Sequence, residues 1–266
     1  LSIDLATALN LPLWDPDSAN ARIESGKHPR AANGLIGEDP NAPKVIVAAN
    51  GGSDLIYIPD RDRDITQKVI DALMAQDYVS GLFVDDAFGA FAGTLPLSAV
   101  NLKGSALAPS PAIAVNFKSF ATGCARPSTC SVEIADTGLQ QGQGMHGGFG
   151  RGDTENFMAA IGPDFKKGFI DEAPVSNPDI GKTIAAILGF LPRSHGRLVG
   201  RPLVEAFANG TPVESTRKTI VSEPSSNGLK TILNYQMVGD TKYFDTAGFE
   251  GRSVGLETEA SFAQGK

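Results

Sequence analysis

The stretch Lys44-Val-Ile-Val-Ala-Ala-Asn-Gly-Gly-Ser-Asp-Leu-Ile-Tyr-Ile58 decides the class of fold. Two short runs rich in β-branched residues flank Asn50-Gly51-Gly52, residues that turn a chain at little conformational cost. Two strands joined by a glycine turn are predicted. Downstream, Ile65, Val69, Ile70, Leu73 and Met74 recur at the three-and-four spacing of a helix with one buried face, and Gly81-Leu-Phe-Val84 returns to a strand. Upstream, Leu11 to Pro43 is broken by Pro12, Pro16, Pro29, Gly34, Gly37, Pro40 and Pro43, and is expected to be an extended, irregular covering segment.

Further along, Pro111-Ala-Ile-Ala-Val-Asn-Phe117 is a strand candidate and Phe157 to Ile161 a buried one. Asn177-Pro178 is a start signal for a helix running through Ile180, Ile184, Ile187 and Leu188 to Gly189. Strands alternating with helices imply an α/β fold with a layered, mainly parallel sheet flanked by helices. After about Gly210 the pattern becomes all β: Thr216 to Ser222, Leu229 to Val238 and Arg252 to Leu256 read as strands, with turns at Ser225-Ser-Asn-Gly228 and Gly239-Asp240. The expected organisation is an α/β body over residues 1–209 and a β-rich C-terminal extension over 210–266.

Composition narrows the function. The chain of 266 residues is 41% hydrophobic and 20% charged, with 30 Gly and 17 Pro, which suits a loop-rich globule and not a disordered chain, collagen or coiled coil. A net charge of −7 argues against a nucleic-acid polymer as partner, because such binding needs clustered Lys and Arg; it leaves room for a small phosphorylated ligand. No apolar run approaches the ~20 residues of a membrane span. The sequence opens at Leu1 with neither an initiator Met nor a signal peptide, as in a processed protein or a piece of a longer one.

Cys124 and Cys130 are the only cysteines, with Pro127 bending the segment between them. A short disulfide loop formed in an oxidising compartment is the favoured reading, free thiols the alternative; no other Cys and no His inside the segment supports a metal clip.

The densest chemistry lies in Gln140-Gln-Gly-Gln-Gly-Met-His-Gly-Gly-Phe-Gly-Arg-Gly-Asp153. One of only three histidines, His146, stands there among Gly144, Gly147, Gly148, Gly150 and Gly152, which let a ligand or ion come close. Gly142, Gly144 and Gly147 match a dinucleotide fingerprint by letter, but neither a tight strand nor a helical pattern flanks them. Arg151-Gly-Asp153 spells a cell-adhesion tripeptide, of a kind that arises often by chance. The plain account of His146 is a loop histidine bonded to backbone.

The run His146-Gly-Gly-Phe-Gly-Arg-Gly-Asp-Thr-Glu-Asn-Phe-Met-Ala-Ala-Ile-Gly-Pro-Asp-Phe-Lys166, then Pro178-Asp-Ile180 and a helix to Gly189-Phe190, resembles the C-terminal motif of the type I phosphodiesterase/nucleotide pyrophosphatase family of the alkaline phosphatase superfamily. That motif is an HG pair, a polar loop, a strand reaching a Gly-Pro-x-Phe-Lys turn and a helix ending in Leu-Gly. The likeness covers roughly Lys44 to Ala206 and is specific from His146 to Leu188. It implies a two-zinc phosphoester hydrolase with a Ser or Thr nucleophile, acting on a small phosphate ester in a periplasmic or secreted setting that also fits a Cys124–Cys130 disulfide. By the HG motif, His146 is implied as a zinc ligand.

The family's other ligands and its nucleophile belong to an Asp-Gly strand end, a Thr or Ser at a helix start, an Asp-x-x-x-His pair and a Ser-Asp-His-Gly turn; none of the four is found in this sequence. Either Asn50-Gly51 replaces the Asp-His of that turn and the site is degenerate, or the ligand-bearing half lies upstream of Leu1. The second account is favoured, because Asp54 to Val84 resembles the region that follows the turn. The expectation is the C-terminal portion of a zinc hydrolase, whose partner is the N-terminal half of the same enzyme; a silent phosphate- or nucleotide-binding protein or a structural secreted domain is the alternative. His146 is expected in an accessible loop at the C-terminal edge of the sheet. Asp85-Asp86 reads as a solvated turn and His28 and His195 as loop residues, while Asp153 and Thr154 lie close enough in sequence to support His146.

Overall fold

The computed structural model describes residues 1–104, 108–135, 143–144, 146–196 and 198–258. Helix α1 (Ser2–Leu9) leads into three short strands, β1 (Leu13–Asp15), β2 (Ala21–Arg22) and β3 (Gly34–Ile36). Then come β4 (Val45–Ala49), β5 (Ser53–Tyr57), α2 (Arg63–Met74), β6 (Val79–Val84), β7 (Leu95–Pro96) and β8 (Ile113–Phe117). A small hairpin, β9 (Ser119–Ala121) and β10 (Ser131–Glu133), precedes the one-turn helix α3 (Arg151–Thr154) and helix α4 (Asn177–Ile187). The chain closes on β11 (Thr216–Val221), β12 (Ile232–Val238) and β13 (Thr241–Gly248).

The glycine turn reverses the chain as its sequence requires: β4 and β5 pair antiparallel, Ala49 opposite Asp54, and Gly51 has φ +83°. Asp62 caps α2 by accepting the Asp64 and Ile65 N–H bonds, and Val69, Ile70, Leu73 and Met74 fill its buried face, each contributing roughly 1.5–3 kcal/mol of burial.

The central sheet has the order β2-β1-β3-β4-β5-β8-β6-β7. It is mixed but not mainly parallel, since only β6 and β7 pair parallel. The reason is one inserted strand. The α2 crossover leaves β5 and β6 running in the same direction, but β8 lies between them, antiparallel to both. Leu11 to Pro43 is irregular only in part, because β1, β2 and β3 within it extend the same sheet.

The two faces of the sheet are covered differently. Leu5 and Ala6 of α1 and the apolar face of α2 pack with Val45, Val47, Ile56, Ile113, Val115 and Phe117. On the other face Phe83, Leu95 and Ala114 pack against Leu233 and Ala247 of the antiparallel β11-β12-β13 sheet. Helices therefore cover one face and a second sheet the other.

Two strand expectations are overturned. The third C-terminal strand is Thr241–Gly248; Arg252 to Leu256 is a chain of turns, with Gly251 and Gly255 at φ +73° and +78°. Phe157 to Ile161 forms no strand and is not buried, with Phe157 88% and Ile161 99% exposed. An apolar run shows that burial is favourable but not that a covering surface is at hand. Among the described residues no helix is long and apolar enough to cross a membrane.

Candidate functional site

The glycine loop of His146 sits at one end of the central sheet, where β4 and β8 finish and β5 and β6 begin. Its first anchor is the β4–β5 turn: Gly52 N–H donates to the His146 carbonyl at 3.0 Å. A Cβ on Gly52 would lie 2.5 Å from the Gly148 nitrogen, so the close approach of the two backbones requires glycine there. Its second anchor is Asn116 of β8, buried and bonded on both sides, since its Oδ1 accepts Phe149 N–H at 2.8 Å and its Nδ2 donates to the Ala247 carbonyl at 3.1 Å.

Arg151 N–H donates to the Val254 carbonyl at 2.8 Å and the Thr154 hydroxyl to the Asp245 carbonyl, fixing α3 to β13 and to the turns that follow it. Asp153 Oδ2 accepts Gly148 N–H at 2.6 Å. Asp153 and Thr154 thus hold the loop that carries His146, whose residue is exposed.

Hairpin β9–β10 covers the other side of the loop. A Cβ on Gly148 would meet the Glu133 carboxyl, and one on Gly152 the Ser131 hydroxyl. The Glu133 Oε1 is buried without a hydrogen-bond partner among the described residues. Burial first, and then the nearby Asp153 charge, push the Glu133 pKa up to about 8, so this carboxyl is neutral at physiological pH. Sequence reasoning missed Glu133 and Asn116. The signal for Glu133 was a lone acid alternating with Val132 and Ile134; for Asn116, an amide inside an apolar strand.

Cys124 and Cys130 are bonded, with Cα atoms 6.2 Å apart. The bridge closes the tip of the β9–β10 hairpin, where Thr122 N–H donates to the Cys130 carbonyl at 3.0 Å.

The loop's own donors decide what it can bind. Gly148 N–H is taken by Asp153, Phe149 N–H by Asn116, and Asp153 and Thr154 N–H by the Gly150 carbonyl. A phosphate cradle needs such groups free and converging. With these donors engaged and the Asp153 carboxylate against Gly148, this part of the loop presents a side chain more readily than it encloses an anion. The letter match to a dinucleotide fingerprint falls on a loop followed by a four-residue helix, and Gly142 lies outside the described residues. The adhesion tripeptide is also engaged: Arg151 pairs with Asp245 at 3.3 Å, while Asp153 caps the loop.

The other sequence candidates stand apart from these contacts. Asp85 is not solvated but 1% exposed, and Arg61 donates to it at 3.0 Å beside Lys103. Burial works against its charge, yet the Lys103, Ala87 and Arg61 bonds outweigh it and hold its pKa below the usual value. Asp86 accepts Ser98 N–H at 3.1 Å. His28 and His195 lie in exposed loops. Among the described residues no three His, Cys, Asp or Glu side chains converge as a metal ion would require. The chain matches no protein-family model, no curated protein and no solved structure.

Proposed function

We propose that this chain is the His146-bearing, C-terminal portion of a zinc-dependent phosphoester hydrolase of the alkaline phosphatase superfamily, acting on a small phosphate ester in a periplasmic or secreted setting. The observation that carries the proposal is an exposed His146 on a loop that Gly52, Asn116 and Asp153 hold in place. Such a loop is suited to presenting one imidazole to an ion. The engagement of the Gly148 and Phe149 N–H groups, the first by a carboxylate, weighs against the alternative, a silent protein binding phosphate through the glycine backbone.

His146 alone does not make a zinc centre. Tight zinc sites use three or four protein ligands, and the described residues bring no such group together. On this reading the remaining ligands and the nucleophile lie in an N-terminal half, where the resemblance assigns them. This chain's share is positional: Gly52, Asn116 and Asp153 fix the loop, and the loop fixes the imidazole. The hairpin disulfide supports an oxidising compartment.

The test uses bis(p-nitrophenyl) phosphate and zinc. The 266-residue chain alone is expected to bind zinc weakly and to release negligible p-nitrophenol, whereas a polypeptide that also carries the N-terminal half turns over and loses activity on His146→Ala. Robust zinc-dependent turnover by the chain alone, or an active longer protein indifferent to His146→Ala, would overturn the proposal.

A further inference from the structure

Helix α4 is built inside out. Its start is well specified: the Ser176 N–H donates to Asp179 Oδ2 at 2.8 Å in a capping box, one residue earlier than the sequence signal at Asn177. Its buried positions, however, are Asp179, Thr183 and Ala185. Asp179 accepts Arg201 N–H at 2.7 Å, and Thr183 accepts Leu203 N–H at 3.1 Å, so polar bonds hold the inner face. Ile180, Ile184 and Leu188, spaced four apart on one face, point outward, Ile184 51% and Leu188 67% exposed. Phe190 and Leu191 continue the surface just beyond the helix, Leu191 92% exposed. An amphipathic helix ordinarily faces the other way.

We infer that this face docks on the same face of a second copy of the chain, α4 against α4. Ridges spaced four apart pack into the grooves of a like helix, and Gly181, exposed beside the stripe, leaves room for the approach. The two charged residues within the helix do not oppose it. Asp179 is fully buried, and Lys182 is drawn away to the Leu198 and Gly200 carbonyls at 3.1 and 2.8 Å. The exposed apolar residues offer on the order of 600 Å² per copy, about 1,200 Å² for the pair, at the lower end of the size range for specific interfaces. A two-fold axis makes such a contact self-complementary and closed. The inference does not depend on the hydrolase reading, since no metal ligand enters it.

Light scattering of the purified chain across a dilution series decides the matter, with a dimer of about twice 27.8 kDa expected at the concentrated end. Ile184→Lys combined with Leu188→Lys should give a monomer with unchanged far-ultraviolet dichroism. If that variant fails to fold, Ile184→Cys keeps the question answerable, because oxidation should lock the pair as a covalent dimer. A monomer throughout, a dimer that survives the lysine substitutions, or an Ile184→Cys chain that does not cross-link would each overturn the inference.

Discussion

Glu133 is neutral where most glutamates are charged, and its titration leaves a measurable trace. A carboxyl whose pKa rises on folding contributes stability that is complete below its unfolded value near 4.5 and is lost as pH climbs through about 8. The Glu133→Gln variant lacks that slope. It should match the parent at pH 5 and exceed it at pH 9, by an amount on the order of 2–4 kcal/mol, as read by thermal melts at both pH values. The glycines make a second comparison. A Cβ at Gly52 meets backbone, which cannot swing aside, whereas one at Gly148 meets the flexible end of Glu133. Gly52→Ala should therefore cost more, about 1–3 kcal/mol, and chemical denaturation of both variants ranks them. The site was legible in sequence as far as His146 and its glycines, whose types announce an exposed side chain on a tight backbone. Glu133 and Asn116 were not, because their roles arise from contacts across 15 and 33 positions with residues that carry no mark of the pairing.

Elements with an internal signal were readable, and those that need a distant partner were not. Strands β4 and β5 announce themselves by the turn between them, and α2 by its stripe. For α4 the stripe was equally plain, but periodicity says only that one face is apolar; the polar bonds of Asp179 and Thr183 set which face turns inward. The β9–β10 hairpin is two short strands with a bridge across its tip. Closing so small a loop restrains the unfolded chain by about 2 kcal/mol in the chain-entropy account. Replacing both cysteines by serine should lower the melting temperature by a few degrees, and reduction of the parent should reproduce the shift. An unchanged melting temperature would mean that the hairpin holds its shape without the bridge.

At the scale of the whole molecule, the α/β class was legible but the layering was not, because nothing in the order of segments places β8 between β5 and β6. The C-terminal strands read as an appendage; in the structure they form a wall of the core. Leu233 and Ala247 are fully buried against Phe83, and Thr231 both accepts Leu82 N–H at 3.2 Å and donates to the Gly93 carbonyl at 2.7 Å. A chain ending at Asn209 would expose that face of the sheet. It should lose cooperative unfolding and bind a hydrophobic dye, whereas a detachable appendage would leave the melt unaltered. Asp85 tests the opposite end of the same sheet. Its carboxylate stabilises the fold above the normal aspartate range and ceases to do so as pH falls through its depressed value. Asp85→Asn should cost about 1–2 kcal/mol near neutrality, a discounted figure because Arg61 and Lys103, left without their shared partner, reach solvent, and the deficit narrows in acid.

The bridge at the hairpin tip also governs what a protease could achieve there. Residues 125–129 form the loop inside it, and Arg126 is exposed, so the tip is a natural place for a nick. A cut anywhere within that loop would leave Ser119 and Glu133 on separate peptides still joined through sulfur. The hairpin would stay on the glycine loop, and His146 would keep its position. Only after reduction would the two fragments separate, so a clipped chain would run as one species on a non-reducing gel and as two on a reducing one.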